Sequence, residues 1–266
     1  MNELMSPVLV TGSSGMVADF ILPALTSHVA ELRLVDIREP SSSRRTGPST
    51  VIGSVTDRSL LDRVMVGVDT VVHLGGIPTE ASFDDVIDSN IRGTHEVLLA
   101  AVRHGVRRVV IASSNHAVGF HERPIEGNAL PADVQDSPDT YYGWSKAATE
   151  SLARLFASRF DLDVVVVRIG QCAARPAPDD RGRALWLSPD DAARLFLAAI
   201  TNKNPGFHLL WGASDNAAGE LSTDNDLGFV PYDNASAVLG TAALVDSPNS
   251  YIGGRFCEVE LGERMR

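Results

Sequence analysis

The chain has 266 residues, of which 44% are hydrophobic and 21% are charged, proportions typical of a globular protein rather than of a disordered or membrane-embedded one. Its formal net charge of −11 should on average repel a nucleic-acid backbone, so we expect neither a nucleic-acid nor a membrane partner. The two cysteines, Cys172 and Cys257, form no C-x-x-C pair, and no signal-peptide pattern precedes the first apolar run, so a reducing cytoplasm is the expected location.

Short apolar runs rich in β-branched residues recur along the chain, separated by segments of helix length. They cover residues 8–12, 32–37, 70–76, 108–114, 164–170 and 207–214. Nearly continuous apolar strands are typical of a parallel sheet that is covered on both faces. The alternation of strands with helices therefore predicts an α/β fold with a doubly wound parallel sheet of the Rossmann type.

The predicted helices cover residues 15–29, 57–66, 83–104, 141–160 and 189–202. Asp57 and Ser188-Pro189 supply signals for a helix start, and Gly105 supplies a stop. Loops are predicted at 171–182 and 212–228, and a mobile surface loop at 41–45. Only about a hundred residues follow the strand at 164–170, so we predict one domain over 1–266, with a small substrate cap built from about 171–187 and 212–266.

A glycine-rich turn joins the first strand to the first helix. Residues 11–18 have the pattern T-G-x-x-G-x-x-A. In this pattern Gly12 allows a tight turn, Gly15 lets the backbone approach a pyrophosphate, and Ala18 lets the helix pack closely on the strand. The N–H groups at the helix start would then face the phosphates. Taken alone, the pattern is equally compatible with a plain strand-to-helix turn.

An acidic residue, Asp36, ends the second predicted strand. A carboxylate there can accept hydrogen bonds from the adenosine ribose hydroxyls and repel a 2′-phosphate. A solvated strand end is the alternative. Arg38, Arg44 and Arg45 follow and could serve a 2′-phosphate. Together with the glycine-rich turn, Asp36 predicts a dinucleotide cofactor, with NAD favoured over NADP.

A tyrosine and a lysine four residues apart, Tyr142 and Lys146, share one face near the start of a predicted helix. A phenol has a pKa of about 10, and a nearby cation lowers it by favouring the phenolate. Ser114 closes the fourth long strand, where its hydroxyl can bind a reacting oxygen, with Ser113 as a packing residue. We interpret Tyr142 as an acid/base catalyst. A surface tyrosine and lysine are the alternative.

His116 follows this strand, and it is either a substrate contact or a hydrogen-bonded structural histidine. The seven histidines show no metal-ligand spacing, so we predict no metal. No G-x-S-x-G turn is present, which disfavours a serine hydrolase.

With these residues assembled, the chain resembles the extended short-chain dehydrogenases and, among them, the uronate dehydrogenases. The segments that carry the resemblance are TGSSGMVA (11–18), HLGG (73–76), NIRGT (90–94), ASSNHAVGF (112–120), YYGWSKAATE (141–150), VRIGQC (167–172), WLSPDD (186–191), LLWGAS (209–214), LGFVPYDNA (227–235) and YIGGRF (251–256). This resemblance spans nearly the whole chain. It implies oxidation of C1 of a hexuronic acid, glucuronate or galacturonate, by NAD to give an aldarolactone.

The resemblance also implies a role for individual residues. Tyr142 would take the proton of the C1 hydroxyl, Lys146 would hold the nicotinamide ribose, and Arg181 would bind the substrate carboxylate, although Arg181 could instead pair with Asp179 or Asp180 on an exposed loop. The implied cofactor residues are Gly12, Gly15, Met16, Val17, Asp36, Ile37, Ser54, Val55, Leu74, Gly75, Gly76, Lys146 and Cys172. The implied substrate residues are Pro78, Ser114, Asn115, His116, Tyr142, Gln171 and Arg181.

Three residues depart from the family pattern. Pro78 and Gln171 occupy places where the family usually offers a serine hydroxyl to the sugar, and Ser54 stands where an aspartate normally meets the adenine. The first two departures leave the identity of the sugar open.

Two other functions use the same motifs. A nucleotide-sugar epimerase or dehydratase has the same serine, tyrosine and lysine but usually needs a larger C-terminal part, and a non-catalytic dinucleotide sensor has no use for a tuned phenol. Pairing through the helices at 83–104 and 141–160 would make a homo-oligomer.

Overall fold

The fold is described from a computed structural model, in which residues 6–40, 48–124, 128–240, 245–246 and 249–264 are the described part of the chain. Nine strands occur in this part: β1 Val8–Thr11, β2 Leu32–Asp36, β3 Thr50–Ile52, β4 Thr70–His73, β5 Arg108–Ser114, β6 Asp163–Ile169, β7 Gln171–Cys172, β8 Trp186–Leu187 and β9 Phe207–Gly212.

Seven of these strands form one parallel sheet in the order β3-β2-β1-β4-β5-β6-β9, and β7 pairs with β8 separately. The order of the strands reverses between β1 and β4. In an open α/β sheet a ligand binds at the carboxyl ends of the strands beside such a reversal. The predicted doubly wound, Rossmann-type sheet is confirmed.

Helices cover both faces of the sheet. They are α1 Met16–His28, α2 Arg58–Val64, α3 Phe83–Val86, α4 Gly93–Arg103, α5 Tyr141–Phe160, α6 Asp180–Leu185, α7 Pro189–Thr201 and α8 Ala235–Leu239; a π-helical segment, Ile87–Arg92, joins α3 to α4, and 3₁₀ turns lie at Asn115–Val118 and Gly254–Glu258. Along β1 the side chains alternate between two apolar layers: Val8 and Val10 pack with α1 and α7, whereas Leu9 packs with α2, α4 and α5.

The predicted helix ends agree with the structure to within two residues, and their signals act as expected. The Asp57 carboxylate accepts the N–H groups of Ser59 and Leu60 at the start of α2, and the Ser188 hydroxyl accepts that of Asp191 at the start of α7. Gly105, with φ of +64°, follows the end of α4. These caps satisfy backbone groups that a helix end leaves without partners.

The prediction was incomplete for the shortest elements. It omitted β3, β7, β8 and α8, and the segment 171–182, predicted as a loop, contains β7 and the start of α6. Elements of two to six residues are too short to show a hydrophobic period. Residues 213–228 contain no helix or sheet strand, as predicted, and the segment 41–45 lies outside the described residues. No helix of the described ranges is long and apolar enough to cross a membrane.

Candidate active site

A cleft of about 910 Å³ opens at the carboxyl ends of the central strands. Every predicted cofactor, catalytic and substrate residue lines it, from Gly12 after β1 to Arg181 on α6. The topology therefore brings into one place side chains and turns that are spread over more than half of the sequence. No group of three or more His, Cys, Asp or Glu suited to a metal ion occurs within the described ranges.

The glycine-rich turn has the geometry that close approach of a ligand requires. Gly12 has φ of +71°, and a Cβ there would lie 2.6 Å from backbone atoms of Leu74 and Gly75. Gly15 is the N-cap of α1, and no side chain caps that helix end. The N–H groups at the start of α1 therefore have no side-chain cap and could hold a phosphate in the cleft.

Asp36 is held by the backbone at the end of β2. Its two carboxylate oxygens accept the N–H groups of Ser14 and Arg38, at 2.8 and 2.9 Å. The side chain is buried yet lines the cleft, beside the glycine-rich turn. This arrangement places a fixed acceptor where the ribose of a dinucleotide would lie. Arg38 also lines the cleft, whereas Arg44 and Arg45 lie outside the described residues.

Tyr142 and Lys146 lie in the first turns of α5, and Ser114 ends β5 opposite them. The Tyr142 phenol hydrogen-bonds with Ser114. The Lys146 Nζ lies 5.6 Å from the centre of the Tyr142 ring and donates a hydrogen bond of 2.9 Å to the carbonyl of Ala112. The Ser114 hydroxyl also accepts the N–H of His116 at 3.3 Å.

Burial dominates the ionisation of both groups on α5. It raises the pKa of Tyr142 to about 12, although the hydrogen bond from Ser114 acts in the opposite direction, and the charge of Asp139 adds to the rise. It lowers the pKa of Lys146 to about 8, and Glu150 opposes that change. The expected lowering of the phenol pKa by Lys146 is therefore not found, because burial of the phenolate has the largest effect on this group.

His116 has a partner that the sequence did not identify. Its Nδ1 lies 2.6 Å from a carboxylate oxygen of Asp139, whose side chain is fully buried. The imidazole stacks on Phe256, with ring centres 3.9 Å apart, and contacts the Tyr142 ring edge to face at 5.7 Å. His116 is thus hydrogen-bonded and also lines the cleft, and its contact with a substrate stays a prediction.

Arg181 is the second residue of α6, and Asp179 is the N-cap of this helix. Its Nε donates a 2.8 Å hydrogen bond to the carbonyl of Ile252. Asp180 pairs with Arg123, at 2.7 Å, and the described residues include no carboxylate in an ion pair with Arg181. The expected alternative, a simple surface pair with Asp179 or Asp180, is not what the structure shows, since Arg181 is partly buried and lines the cleft.

A second buried acid, Glu80, organises the start of α5. One carboxylate oxygen accepts the N–H of Tyr142 and the other accepts the N–H of Gly262, both at 2.8 Å. The sequence did not single out Glu80, Asp139 or Phe256, because no local motif contains them together with the residues they contact. Arg264, near the C-terminus, lines the same cleft.

The three departures from the family pattern all lie in the cleft. Pro78 offers neither a hydroxyl nor an N–H. The Gln171 side-chain oxygen accepts the N–H of Ala177 at 3.4 Å. Ser54 hydrogen-bonds with the Thr56 hydroxyl at 2.8 Å. The hydrogen-bond donors and acceptors at these three positions of the cleft therefore differ from those of the family pattern.

The model of the NAD dependent epimerase/dehydratase family matches residues 8–185, which is more than half of the chain. The chain belongs to this family, and the resemblance to uronate dehydrogenases is confirmed. It is 32% identical to the uronate dehydrogenase of Pseudomonas putida, with 94% of each chain covered.

Two further proteins are similar to this chain. The chain is similar to a variant of uronate dehydrogenase from Agrobacterium tumefaciens, solved in complex with NAD, with a TM-score of 0.86, 33% identity and 96% and 98% of the two chains covered. It is also 36% identical to an NAD-dependent glucose-6-phosphate dehydrogenase of Haloferax volcanii, over 86% of this chain and 94% of that one.

Proposed function

We propose that the protein oxidises C1 of a hexuronic acid, glucuronate or galacturonate, with NAD and releases an aldarolactone and NADH. The observation that carries this proposal is that Arg181 lines the same cleft as Tyr142, Ser114 and Lys146. A planar guanidinium can bind a carboxylate at one end of a sugar while the phenol meets C1 at the other. The uronate dehydrogenases among the relatives support the same substrate class.

The wall around the glycine-rich turn fits NAD. Gly12 and Gly15 leave room for a pyrophosphate at the start of α1, and Asp36 offers oxygens to the ribose hydroxyls. A 2′-phosphate would place a second negative charge against Asp36, so we propose that NAD is preferred over NADP. Ile37, Ser54 and Val55 would border the adenine end.

In the proposed reaction, bound NAD would supply the acceptor for the hydride of C1. Tyr142 takes the proton from the C1 hydroxyl, so that the C1–O bond becomes the carbonyl of the lactone as the C1–H bond breaks. Ser114 hydrogen-bonds with the same phenol and can also orient the reacting oxygen. The Lys146 ammonium, which lies beside the Tyr142 ring, would hold the nicotinamide ribose.

A substrate panel tests this function. Purified protein is mixed with NAD and with glucuronate, galacturonate, their neutral aldoses or a nucleotide sugar, and NADH absorbance is followed. Oxidation of a hexuronate with much higher kcat/KM than that of the matching aldose supports the proposal. Preference for the neutral aldose refutes it. The spectrum of the purified protein adds a check, because a nucleotide-sugar epimerase or dehydratase would retain bound NAD through turnover.

A sugar phosphate is a second candidate substrate. The glucose-6-phosphate dehydrogenase of Haloferax volcanii is as similar to this chain as the uronate dehydrogenases are, and a guanidinium binds phosphate as well as carboxylate. Pro78 and Gln171 also remove hydroxyls that the uronate dehydrogenase pattern contains. Glucose 6-phosphate therefore belongs in the panel, and a higher kcat/KM for it than for both hexuronates would favour this candidate.

We also propose that residues 171–187 and 212–266 form the substrate cap of a single domain. Arg181, Phe256 and Arg264 support this because each lies in one of these segments and lines the cleft. A homo-oligomer and a cytoplasmic location remain predictions; the free thiols of Cys172 and Cys257 are compatible with a reducing compartment.

A further inference from the structure

The His116 ring separates a buried carboxylate from the substrate end of the cleft. Its Nδ1 faces Asp139, while 10% of the side chain remains exposed and lines the cleft. Within the described part of the chain, no hydrogen-bond partner is found at the Nε2 of His116. The second nitrogen of the ring is thus available to a ligand.

Asp139 occupies a niche that is built around its carboxylate. Gly119, Gly143 and Gly253 come from three separate parts of the chain, and a Cβ added at any of them would collide with this carboxylate. The Thr140 hydroxyl donates to Asp139 Oδ1 at 2.9 Å and itself accepts the N–H of Gly143. The position of the carboxylate is therefore fixed from several sides.

The hydrogen bonds made by Asp139 and Thr140 determine which nitrogen of the His116 ring carries the proton. Because the Thr140 oxygen already accepts an N–H, its proton must point to Asp139 Oδ1, and Oδ2 faces His116 Nδ1. A carboxylate can only accept, so Nδ1 carries the proton. Burial lowers the pKa of His116 and so favours the neutral ring, although Asp139 opposes this effect. The other charged or titratable groups that face the ring are Arg181, Glu80 and Tyr142.

We propose that Asp139 is a positioning residue, which holds the neutral His116 ring with its proton on Nδ1 so that Nε2 accepts a hydrogen bond from a hydroxyl of the sugar. This proposal rests on the proposed function, since the hydroxyl belongs to the sugar substrate. It adds to that function a requirement for a hydroxyl donor, rather than a carbonyl or carboxylate acceptor, at the place where the substrate meets His116.

The tautomer can be measured directly in the whole protein. We expect ¹⁵N NMR of the histidine side chains to show a neutral His116 protonated on Nδ1 from about pH 6 to about pH 8. Addition of NADH and a hexuronate, which cannot turn over together, should shift the Nε2 signal in the direction of an accepted hydrogen bond. A charged ring, a proton on Nε2, or an Nε2 signal unmoved by the hexuronate would overturn the proposal.

Asp139→Asn provides a variant of the same size. Its amide oxygen must still accept the Thr140 proton, so the amide NH₂ should face His116 Nδ1 and drive the ring proton to Nε2. The sugar hydroxyl then loses its acceptor, and we expect kcat/KM for the hexuronate to fall about ten- to a hundredfold, with NAD affinity unchanged. Asp133→Asn, on the exposed part of the same segment, is the matched control and should leave kcat/KM unchanged.

A second background separates positioning from a structural role. In His116→Phe, which keeps an aromatic ring against Phe256, Asp139→Asn should change kcat/KM less than about threefold, because Asp139 acts through the imidazole. An equal loss in both backgrounds refutes the proposal. If Asp139→Asn does not fold, the wild-type spectra decide. If the wild type oxidises no hexuronate, the proposed function fails. The role of Asp139 is then still tested by the His116 tautomer in the free protein and by the change of the Nε2 signal on addition of the sugar that is oxidised.

Discussion

Replacement of Arg181 tests how the substrate anion is bound. The Nε of Arg181 donates to Ile252, and a Cβ added at Gly254, whose φ is +57°, would lie 2.8 Å from the Arg181 Cδ. These contacts fix the stem and one nitrogen of the side chain. The two terminal nitrogens remain for the carboxylate of a hexuronate, which suits a paired, end-on contact.

The size of the effect follows from this geometry. A hydrogen bond to a charged group contributes about 1.5–3 kcal/mol, so Arg181→Ala should lower kcat/KM for the hexuronate about ten- to a hundredfold. Arg181→Lys should lose a similar amount, because an ammonium can neither form the paired contact nor keep the bond of the Nε to Ile252. The kcat/KM for a neutral aldose, where it is measurable, should not change.

Initial rates of NADH formation measure the effect, and Arg183→Ala is the control. Arg183 is exposed on the same helix, α6, so this variant removes one positive charge two residues away without touching the cleft. The reasoning is refuted when Arg181→Ala keeps the wild-type kcat/KM for the hexuronate, or when Arg183→Ala loses as much. An equal loss for the neutral aldose would show a general disturbance of the cleft instead.

Four further results are expected. Tyr142→Phe should lower kcat about 10²- to 10⁴-fold, while a titration shows that NAD affinity is retained; undiminished turnover in this variant would place the base elsewhere. The wild-type kcat/KM should rise from about pH 6 to about pH 9, because the phenolate fraction of a group with a raised pKa grows with pH. Asp36→Ala should narrow the preference for NAD in paired kcat/KM measurements, whereas equal wild-type values for NAD and NADP would contradict the role of Asp36. Burial lowers the pKa of His73 to about 3. Since the unfolded chain takes up this proton below about pH 6.5, about 5 kcal/mol of stability should be lost as pH falls toward 3, and urea unfolding of His73→Gln should show a weaker pH dependence.

The sequence predicted those features that depend on neighbours close along the chain. The turn at Gly12, the caps at Asp57 and Ser188 and the Tyr142-Lys146 spacing each involve a few consecutive residues, so a single segment contains the whole signal. The same locality explains why the strand and helix order was correct. Each long strand and helix shows its own apolar pattern before any tertiary contact is known.

The sequence could not predict the contacts that join distant segments at the site. His116 and Asp139 are 23 residues apart, and Glu80 lies 62 residues from Tyr142 and 182 from Gly262. Nothing in a local pattern pairs these residues. The predicted direction of the change in the Tyr142 pKa was also wrong. The spacing to Lys146 is visible in the sequence, whereas the burial that raises this pKa is not.

Charge at the substrate end of the cleft, rather than the net charge of −11, decides whether an anionic sugar fits. The buried carboxylates there already have internal partners, because Asp139 accepts from His116 and Thr140 and Glu80 accepts two backbone N–H groups. Pro78 contributes no donor to this wall. Arg181 lines this end of the cleft, and within the described part of the chain no hydrogen-bond partner is found at its terminal nitrogens. An anionic group on the sugar offsets the cost of keeping that guanidinium partly buried, and a neutral sugar does not.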